Sequence, residues 1–443
     1  MKRKVGIIGG GAAGMMAAIT AARQGAEVTV LEGNDRVGRK ILSTGNGKCN
    51  LGNRKLDLEE YYTGNSRRLE ECLKKFGTED TVSFFQGIGL MLKEKNGYLY
   101  PACEQASAVL DVLRFELSAL GIKVANGCKV GRILPGPEGG QIRVESGDET
   151  YSFDCVVVAC GGAAAPRTGS DGSGFRLAEQ IGHKLVPSVP ALVQLRCSEP
   201  YLKAISGIRA DAAVRVWDNG RCIANERGEL QLTDYGISGI PVFQLSRQVN
   251  YILRRQREVE ITVDFLPDYG REEYEALQAG RKLLQNDRTV EAFFTGMLHK
   301  KLMLQFMKMA GLKPGEPVEK ADASALDKVY RLCREWRIHV NGHNSYDNAQ
   351  VCAGGVPLDQ LTEDLESLMA PGVFFAGEIL DVDGKCGGYN LQWAWTSGYL
   401  AGKAAADGNQ RPRCKQRGIK LAALQSSGVF DPRGSRQMSA SSH

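Results

Sequence analysis

Three glycines near the start of the chain have the spacing that a bound pyrophosphate requires. Gly9, Gly11 and Gly14 follow the apolar residues 5–8 and precede a segment rich in strong helix formers. Gly9 allows a tight turn, Gly11 lets phosphates approach the backbone, and Gly14 lets a helix pack against a sheet. Ala13 lies in the same turn, where the free N–H groups of a helix N-terminus bind phosphate. This pattern predicts a dinucleotide site.

An acidic residue ends the second predicted strand. Glu32 closes residues 27–32 and lies 23 positions after Gly9, close to the spacing of about 20 in dinucleotide-binding units. Its carboxylate can accept hydrogen bonds from ribose hydroxyls and would repel a 2′-phosphate, which argues against NADP. The motif therefore predicts FAD or NAD.

A glycine-rich segment follows directly. Residues 33–50 combine several glycines, Gly38 among them, with the cations Arg39 and Lys40. Such a segment supplies backbone N–H groups and positive charge where a chain wraps a pyrophosphate. Arg39 and Lys40 are therefore candidate phosphate or ribose contacts, and the alternative is a solvated pair of surface cations.

A second glycine-rich region lies near the other end of the chain. A short apolar strand is predicted to end at Gly377 and Glu378, and Gly387 and Gly388 precede a predicted helix from Leu391. A helix N-terminus offers free N–H groups and a positive dipole end. At a flavin, that end would stabilise negative charge at N1 and the C2 carbonyl of the reduced ring. This second set of contacts favours FAD.

The cysteines predict no metal site and no redox pair. Twelve cysteines are scattered without a C-x-x-C pair, which disfavours a zinc ribbon or an iron–sulfur cluster. Cys155 and Cys160 flank a predicted buried strand, which would separate them by about 16 Å, whereas a disulfide needs Cα atoms within about 7 Å. Scattered free thiols favour a reducing cytoplasm.

The histidines give no metal motif either. His339 and His343 are four positions apart, but Asn341 and Gly342 between them predict a turn rather than a helix. We therefore expect no metal ligands here.

The net charge of +5 comes from one end of the chain. Residues 411–443 hold seven Lys and Arg residues and one acid, which leaves 49 basic and 50 acidic residues in the rest, a balance of −1. Because the rest of the chain has almost no net charge, its composition gives no support for a nucleic-acid partner. No run of about 18 apolar residues exists, so we expect no membrane span.

The segments between the two ends have different patterns. We expect an α/β fold with a discontinuous, Rossmann-like FAD-binding domain made of residues 1–189 and 345–405. Short alternating stretches in 190–266 predict a β-rich insert. Leu, Met and Phe at helical spacing in 267–344 predict a helical insert. Residues 406–443 are expected to form a flexible tail.

Local patterns refine this outline. Residues 66–95 and 104–120 are predicted as helices, and residues 124–133 and 142–153 as strands joined by a long hairpin turn. A buried parallel strand is predicted before Cys160 and Gly161. The later glycine loop at 166–174 does not follow a strand at the right offset, so we do not interpret it as a second dinucleotide motif.

Several stretches together resemble a known family. The chain up to about residue 405 is similar to bacterial FAD-dependent oxidoreductases of the aminoacetone-oxidase-like, bile-acid-inducible flavoprotein family. The strings at 376–384 and 387–398 are specific to that family. The matching stretches are residues 9–50, 166–183, 228–239 and 375–402.

The resemblance implies positions for the rest of the cofactor. It implies that Val130 offers backbone to adenine, that Gly377 and Glu378 contact the ribityl chain, and that Asn390 and Leu391 contact the isoalloxazine. The remaining candidate FAD contacts are Gly161, Asp383 and Gly388.

This chain departs from the family pattern at two positions. Many members have His where this chain has Asp234 and Thr where it has Cys386. Both differences concern the substrate chemistry rather than FAD binding.

One branch of the family reduces conjugated double bonds of 3-oxo bile-acid intermediates. We therefore expect an oxidoreductase acting on a CH–CH group, with NAD(P)H-driven reduction of a conjugated C=C in a hydrophobic steroid or bile-acid substrate. No second strand–GxGxxG–helix unit exists, so NAD(P)H would visit transiently. A flavin amine oxidase, an FAD-containing RNA-modifying protein and a non-catalytic flavin-binding protein are the alternatives.

No catalytic acid is evident from the sequence. Tyr389, Cys386 and Cys49 lie near the predicted flavin contacts, and we interpret each as structural.

Overall fold

The computed structural model describes residues 2–136, 140–256, 258–283 and 288–407. The basic segment 411–443 lies outside these residues. The strands are β1 (Lys4–Ile8), β2 (Glu27–Glu32), β3 (Gly52–Asn53), β4 (Tyr61–Thr63), β5 (Leu92–Lys95), β6 (Tyr98–Pro101), β7 (Lys123–Asn126), β8 (Arg132–Leu134), β9 (Ile142–Ser146), β10 (Glu149–Phe153), β11 (Cys155–Val158), β12 (Val186–Ala191), β13 (Leu195–Cys197), β14 (Arg209–Asp218), β15 (Arg221–Leu232), β16 (Gly236–Gly239), β17 (Val259–Asp264), β18 (Trp336–His343), β19 (Val351–Gly355), β20 (Val373–Phe375) and β21 (Val382–Gly384).

The helices are α1 (Ala12–Arg23), α2 (Ser66–Lys75), α3 (Thr78–Gly87), α4 (Ala106–Ala119), α5 (Ser173–Gln180), α6 (Ile240–Leu253), α7 (Arg271–Lys282), α8 (Val290–Phe294), α9 (Lys300–Ala310), α10 (Ala323–Arg334) and α11 (Tyr389–Ala406). Within the described part of the chain, no helix combines the length and apolar character needed to cross a membrane.

A parallel sheet forms the centre of the first unit. Its five strands lie in the order β20–β11–β1–β2–β7, and every neighbouring pair is parallel. Val5 and Ile7 of β1 belong to the hydrophobic core on one face, and Ile8 belongs to the core on the other. Parallel sheets are normally covered on both faces in this way. Because β20 comes from the far end of the chain, both ends build one sheet. The predicted α/β Rossmann-like fold is confirmed.

Helices α1 and α11, from opposite ends of the chain, cross at very close range. A Cβ atom on Gly398 would lie 2.4 Å from the carbonyl oxygen of Ala13, and one on Gly402 would lie 2.3 Å from that of Ala17. Only glycine allows the backbones to approach this closely. The contact therefore holds the middle of α11 beside the N-terminal half of α1.

The insert is built on a closed antiparallel barrel with strand order β13–β16–β15–β14–β17–β18. Asn219 and Gly220 connect β14 to β15 with φ angles of 51° and 75°, as expected for a two-residue hairpin turn. Apolar side chains from the barrel, from α6 and from α8 to α10 share one hydrophobic core. The β-rich and helical parts of the insert are therefore packed together.

The structure corrects the prediction for the end of the insert. Residues 336–343 form β18, which closes the barrel, rather than helix and turn. Trp336, Ile338 and Val340 are buried and the residues between them are exposed, an alternation typical of a strand. His339 and His343 therefore lie in one strand, and the predicted turn between them is wrong.

Three other local predictions change. Residues 92–95, predicted as helix, form β5. The predicted strand 124–133 is divided between β7 of the parallel sheet and β8 of a separate three-stranded sheet. Residues 142–153 form the β9–β10 hairpin rather than one strand. In each case backbone pairing with another strand decided the outcome, and for β7 that partner is the distant strand β2.

Candidate cofactor-binding site

A cavity of about 360 Å³ lies at the carboxyl end of the parallel sheet, within the size range of about 300–1,000 Å³ usual for ligand sites. Such crevices are where open α/β sheets bind their ligands. The lining residues come from the turn after β1, the end of β2, the segments after β11 and β20, and the first turns of α1 and α11. Two helix N-termini therefore border one space.

The N-terminus of α1 has the properties of an anion site. Gly11 is its N-cap and offers no capping side chain, and the first turn contains no acidic residue. The first N–H groups of a helix have no acceptor within it. A Cβ on Gly11 would meet no described atom within 4 Å, so the space above this residue is open. Gly11, Ala12 and Ala13 all line the cavity.

The other two glycines of the motif position this turn. Gly9 has φ of 99°, and a Cβ there would lie 2.6 Å from the carbonyl oxygen of Ala159. A Cβ on Gly14 would lie 1.9 Å from the carbonyl oxygen of Gly9, so α1 packs directly on the turn. Gly9 lines the cavity, whereas Gly14 supports it from behind.

Glu32 is buried at the cavity wall with its carboxylate held in place. Its Oε2 accepts a hydrogen bond from the N–H of Gly10 at 2.8 Å. Its Oε1 accepts from the backbone N–H of Asn34 at 2.8 Å and from Asn34 Nδ2 at 2.7 Å. A carboxylate oxygen has room for further donors. The arrangement fits a carboxylate that accepts from a hydroxyl group in the cavity.

The N-terminus of α11 borders the same cavity from another side. Gly388 is its N-cap, with φ of 90°, and its first turn contains no acidic residue. Asn390, Leu391 and Trp393 line the cavity. Asn390 is fixed by bonds to the backbone of Gly384, since its Oδ1 accepts at 2.9 Å and its Nδ2 donates at 2.7 Å. This helix end offers a second positive dipole.

Lys40 and Glu378 form an ion pair within the wall. Lys40 Nζ lies 2.6 Å from Glu378 Oε2 and donates to the carbonyl oxygen of Ala164 at 3.1 Å. Glu378 Oε1 accepts from the N–H of Cys352 at 2.9 Å. Arg39, the other predicted cation, donates to Asn34 Oδ1 at 3.0 Å. Both cations are at the cavity, each already bonded to protein groups.

Two polar atoms beside the cavity fit a polar ligand. Ser170 Oγ and Trp393 Nε1 are buried and have no hydrogen-bond partner among the described residues, and both residues line the cavity. A buried polar group without a partner costs about 1–3 kcal/mol. Together with two helix N-termini and a buried carboxylate, these donors fit a dinucleotide.

Most of the predicted site residues line this cavity. They are Gly9, Gly11, Ala13, Glu32, Gly38, Arg39, Lys40, Val130, Gly161, Gly377, Glu378, Asn390 and Leu391. The predicted residues that do not line it are Gly14, Gly388 and Asp383. Gly14 and Gly388 act through the backbone, since a Cβ on Gly388 would lie 2.7 Å from the carbonyl oxygen of Gly52.

The placement of Asp383 is a correction. Val382 lines the cavity, and the next residue of the strand points to the opposite side. Asp383 is buried there against Arg247 of α6, whose Nε lies 3.0 and 2.9 Å from its two oxygens. Burial raises the pKa of this carboxyl to about 7, although Arg247 opposes the shift. Asp383 therefore contacts the insert and not the cavity.

Sequence reasoning missed the contribution of the later glycine loop. Thr168, Gly169, Ser170, Asp171 and Ser173 all line the cavity. The available signal was the glycine content of residues 166–174. These glycines do not have the spacing of a dinucleotide motif, because the loop reaches the cavity from the end of a different strand.

The predicted structural roles of three reactive side chains agree with their surroundings. The hydroxyl of Tyr389 donates to the carbonyl oxygen of Lys55 at 3.3 Å and accepts from Asn53 Nδ2 at 3.2 Å. Burial raises the pKa of the Cys49 thiol to about 11 and that of Cys386 to about 12. A thiol with so high a pKa is a poor nucleophile.

The chain is similar to one protein family and to individual proteins over most of its length. The family model described as HI0933-like protein Rossmann domain matches residues 3–404. A 3-dehydro-bile acid delta(4,6)-reductase of Clostridium scindens is 42% identical over 414 residues, which cover 91% of this chain and 99% of that protein. A ribosomal RNA dihydrouridine synthase of Haemophilus influenzae is 30% identical over 400 residues, which cover 89% and 96%.

The 3-ketosteroid delta1-dehydrogenase of Sterolibacterium denitrificans, in complex with 1,4-androstadiene-3,17-dione, is 14% identical with a TM-score of 0.48. The match covers 91% of this chain and 100% of that one.

Proposed function

Because the chain belongs to the HI0933-like Rossmann-domain family, we propose that it is an FAD-dependent reductase of a conjugated C=C bond in a 3-oxo steroid or bile-acid substrate, with NAD(P)H as the electron donor. The chain is a flavoprotein oxidoreductase by relationship. FAD as the flavin, NAD(P)H and the substrate are the proposed parts. The observation that carries the proposal is the 42% identity, over almost the whole length of both chains, with a reductase of 3-dehydro-bile acids.

The cavity supports FAD because it offers a different kind of contact at each end. The N-terminus of α1 would hold the pyrophosphate, and Glu32 would accept from a ribose hydroxyl. Val130 would lie at the adenine, Gly377 and Glu378 at the ribityl chain, and Asn390 and Leu391 at the ring. FAD bound here would supply hydride transfer.

The protein groups around the ring site would tune that chemistry. The α11 N-terminus, without an acidic residue in its first turn, favours negative charge in the space it faces. Lys40 and Glu378 neutralise each other at 2.6 Å and so add little net field. The insert contacts the Rossmann unit through α6, where Gln244 Oε1 accepts a hydrogen bond from the N–H of Cys386 at 2.9 Å. The substrate would therefore be enclosed between the Rossmann unit and α6.

The second relative supports a second candidate, the reduction of uridine in ribosomal RNA. Both relatives are named for reactions that saturate a C=C bond conjugated with a carbonyl group. The chemistry is shared, but the substrates differ in charge. The balance of −1 outside residues 411–443 gives no support for a broad cationic surface that would bind RNA, so we prefer the steroid.

An anaerobic experiment separates these candidates. The flavin-loaded protein mixed with NADH should lose the visible absorption band of oxidised flavin. A 3-oxo-4,6-diene steroid should then restore the band and gain two hydrogen atoms by mass spectrometry. The saturated 3-oxo steroid is the control and should restore nothing.

Other outcomes of this experiment contradict the proposal. Saturation of uridines in unmodified ribosomal RNA, with no reaction of the steroid, would favour the second candidate. Bleaching of the flavin by amines alone, with peroxide formed on reoxidation, would indicate an amine oxidase instead.

A further inference from the structure

Arg247 joins the insert to the Rossmann unit but uses only part of its hydrogen-bonding capacity. It lies on α6, and its Nε bonds to both oxygens of Asp383 on β21. Neither Nη1 nor Nη2 has a hydrogen bond to any described residue. The side chain is 19% exposed, whereas that of Asp383 is 3% exposed. Four N–H donors of this guanidinium are therefore available to a ligand.

Two aromatic rings hold the guanidinium in place. Its central carbon lies 4.4 Å from the ring centre of Tyr62 and 5.0 Å from that of Tyr251. The rings come from β4 and α6, one on each side of the junction. An arginine bonded through Nε and stacked on rings has little freedom left to lose when its Nη groups bind a ligand.

The available donors lie beside an apolar wall that continues into the cavity. Tyr251 packs with Phe243 and Cys386 against a buried apolar cluster that includes Leu192 and Val351. Val351 lines the cavity. An apolar molecule with one polar oxygen would match this combination of surfaces.

The charges around Arg247 favour a neutral oxygen over an anion. Asp383 is in direct contact with Arg247, and Asp381 is buried close by, with Oδ2 accepting from the N–H of Gly64 at 3.3 Å and Oδ1 without a partner among the described residues. In its ionised form Asp383 offsets the positive charge of the guanidinium by direct contact, and an ionised Asp381 adds to this offset. A carboxylate ligand would therefore gain less here than a carbonyl oxygen does.

We propose that the Nη groups of Arg247 bind the carbonyl oxygen that is conjugated with the C=C bond of the substrate. This inference rests on the proposed function. In the reduction, bound reduced flavin would supply hydride to the far carbon of the C=C and return to its oxidised form, while the π electrons would move onto the carbonyl oxygen. A proton from water would then add to the nearer carbon. Arg247 stabilises the negative charge while it is on oxygen.

The test measures binding without turnover. Oxidised, flavin-loaded protein is titrated, with no NADH present, with androst-4-ene-3,17-dione and with androst-4-en-17-one, which lacks only the 3-oxo group. Arg247→Lys should weaken binding of the 3-oxo steroid by roughly tenfold or more, since a hydrogen bond to a charged donor contributes about 1.5–3 kcal/mol. Binding of the 3-deoxy steroid and the thermal unfolding midpoint should stay nearly unchanged.

Arg254→Lys is the matched control, because Arg254 follows α6 and donates to the carbonyl oxygen of Ser188 across the same junction. It should leave the binding of both steroids unchanged. If Arg247→Lys weakened the binding of both steroids equally, or lowered the unfolding midpoint without changing the preference between the steroids, Arg247 would only stabilise the contact between the two units. If Arg247→Lys bound the 3-oxo steroid as tightly as wild type, the role of Arg247 would be overturned but the proposed substrate would not. A wild-type protein that binds neither steroid would overturn the proposed substrate as well.

Discussion

Lys40 Nζ lies 2.6 Å from Glu378 Oε2, although 338 positions separate the two residues. The pair closes one wall of the cavity with a group from each end of the chain. Both side chains are less than one quarter exposed, so the pair is not a weak surface contact. The cavity therefore depends on the docking of the chain's two ends.

Removing the cation of this pair should weaken flavin binding. Lys40→Met leaves the Glu378 carboxylate without its counter-charge in a partly buried wall, a change that typically costs a few kcal/mol. We expect a rise of about tenfold or more in the FAD dissociation constant, measured by the fluorescence of released flavin.

Lys123→Met provides the comparison, since Lys123 pairs with Glu27 on the exposed edge of the sheet. Such a pair contributes about 0–1 kcal/mol, so flavin retention should not change. Equal flavin loss in both variants would contradict a specific role for Lys40.

A methyl group on Gly11 should affect the ligand and not the fold. Gly11 has φ of −77° and ψ of −167°, a conformation that alanine adopts without strain. Because the space above it is open, Gly11→Ala should keep the wild-type unfolding midpoint. The new methyl group would stand where the pyrophosphate must approach, so FAD uptake should fall by about tenfold or more.

Gly87→Ala is the control for Gly11→Ala, because a Cβ there also meets no described atom within 4 Å and the residue ends α3, away from the cavity. Stoichiometric FAD in purified Gly11→Ala would show that the phosphates do not bind at this turn.

The crossing of α1 and α11 should be sensitive to a single methyl group. In Gly398→Ala the new Cβ would lie 2.4 Å from the carbonyl oxygen of Ala13, so the helices must separate. We expect a loss of about 1–3 kcal/mol in the free energy of unfolding, measured by urea denaturation. Gly280→Ala in α7 is the control, because a Cβ there meets no described atom within 4 Å. It should leave the free energy of unfolding unchanged or raise it slightly. An unchanged free energy of unfolding in Gly398→Ala would contradict the tight contact between the two helices.

His183 should make stability depend on pH. Its Nε2 lies 2.7 Å from Ser367 Oγ, which already accepts the N–H groups of Met369 and Ala370. Ser367 must therefore donate to His183, whose Nδ1 donates to Gln360 Oε1 at 3.0 Å. The hydrogen bonds require a neutral ring, and burial lowers the pKa of His183 below its usual value.

The sign of this effect follows from proton binding. Below the unfolded-state pKa of about 6.5 the unfolded chain binds a proton that the folded chain does not, so stability falls as pH falls. The free energy of unfolding should drop by up to about 1.4 kcal/mol per pH unit below that value. Urea denaturation at pH 7.5 and pH 5.5 should show a smaller pH difference for His183→Gln than for wild type, whereas the exposed His299→Gln should keep the wild-type difference.

Local motifs in the sequence determined the Rossmann-like fold and the first half of the candidate site. The requirements at Gly9 and Gly11 concern only the conformation and bulk of those residues, and Glu32 ends a strand that pairs directly with β1. These are short-range constraints, so residue type and spacing report them. The two-residue turn at Asn219 and Gly220 is a constraint of the same short-range kind.

Only the tertiary structure decided which groups meet across long separations. Asp383 was predicted beside the cofactor, but the alternation of β21 turns it towards Arg247, 136 positions away. The pairing of β18 with β13 and β17 overrode a local turn signal and closed the barrel. Strand pairing and side-chain burial depend on partners that no local window contains. The available Nη donors of Arg247 are a consequence of that long-range packing. So is the position of the N-termini of α1 and α11 at one cavity.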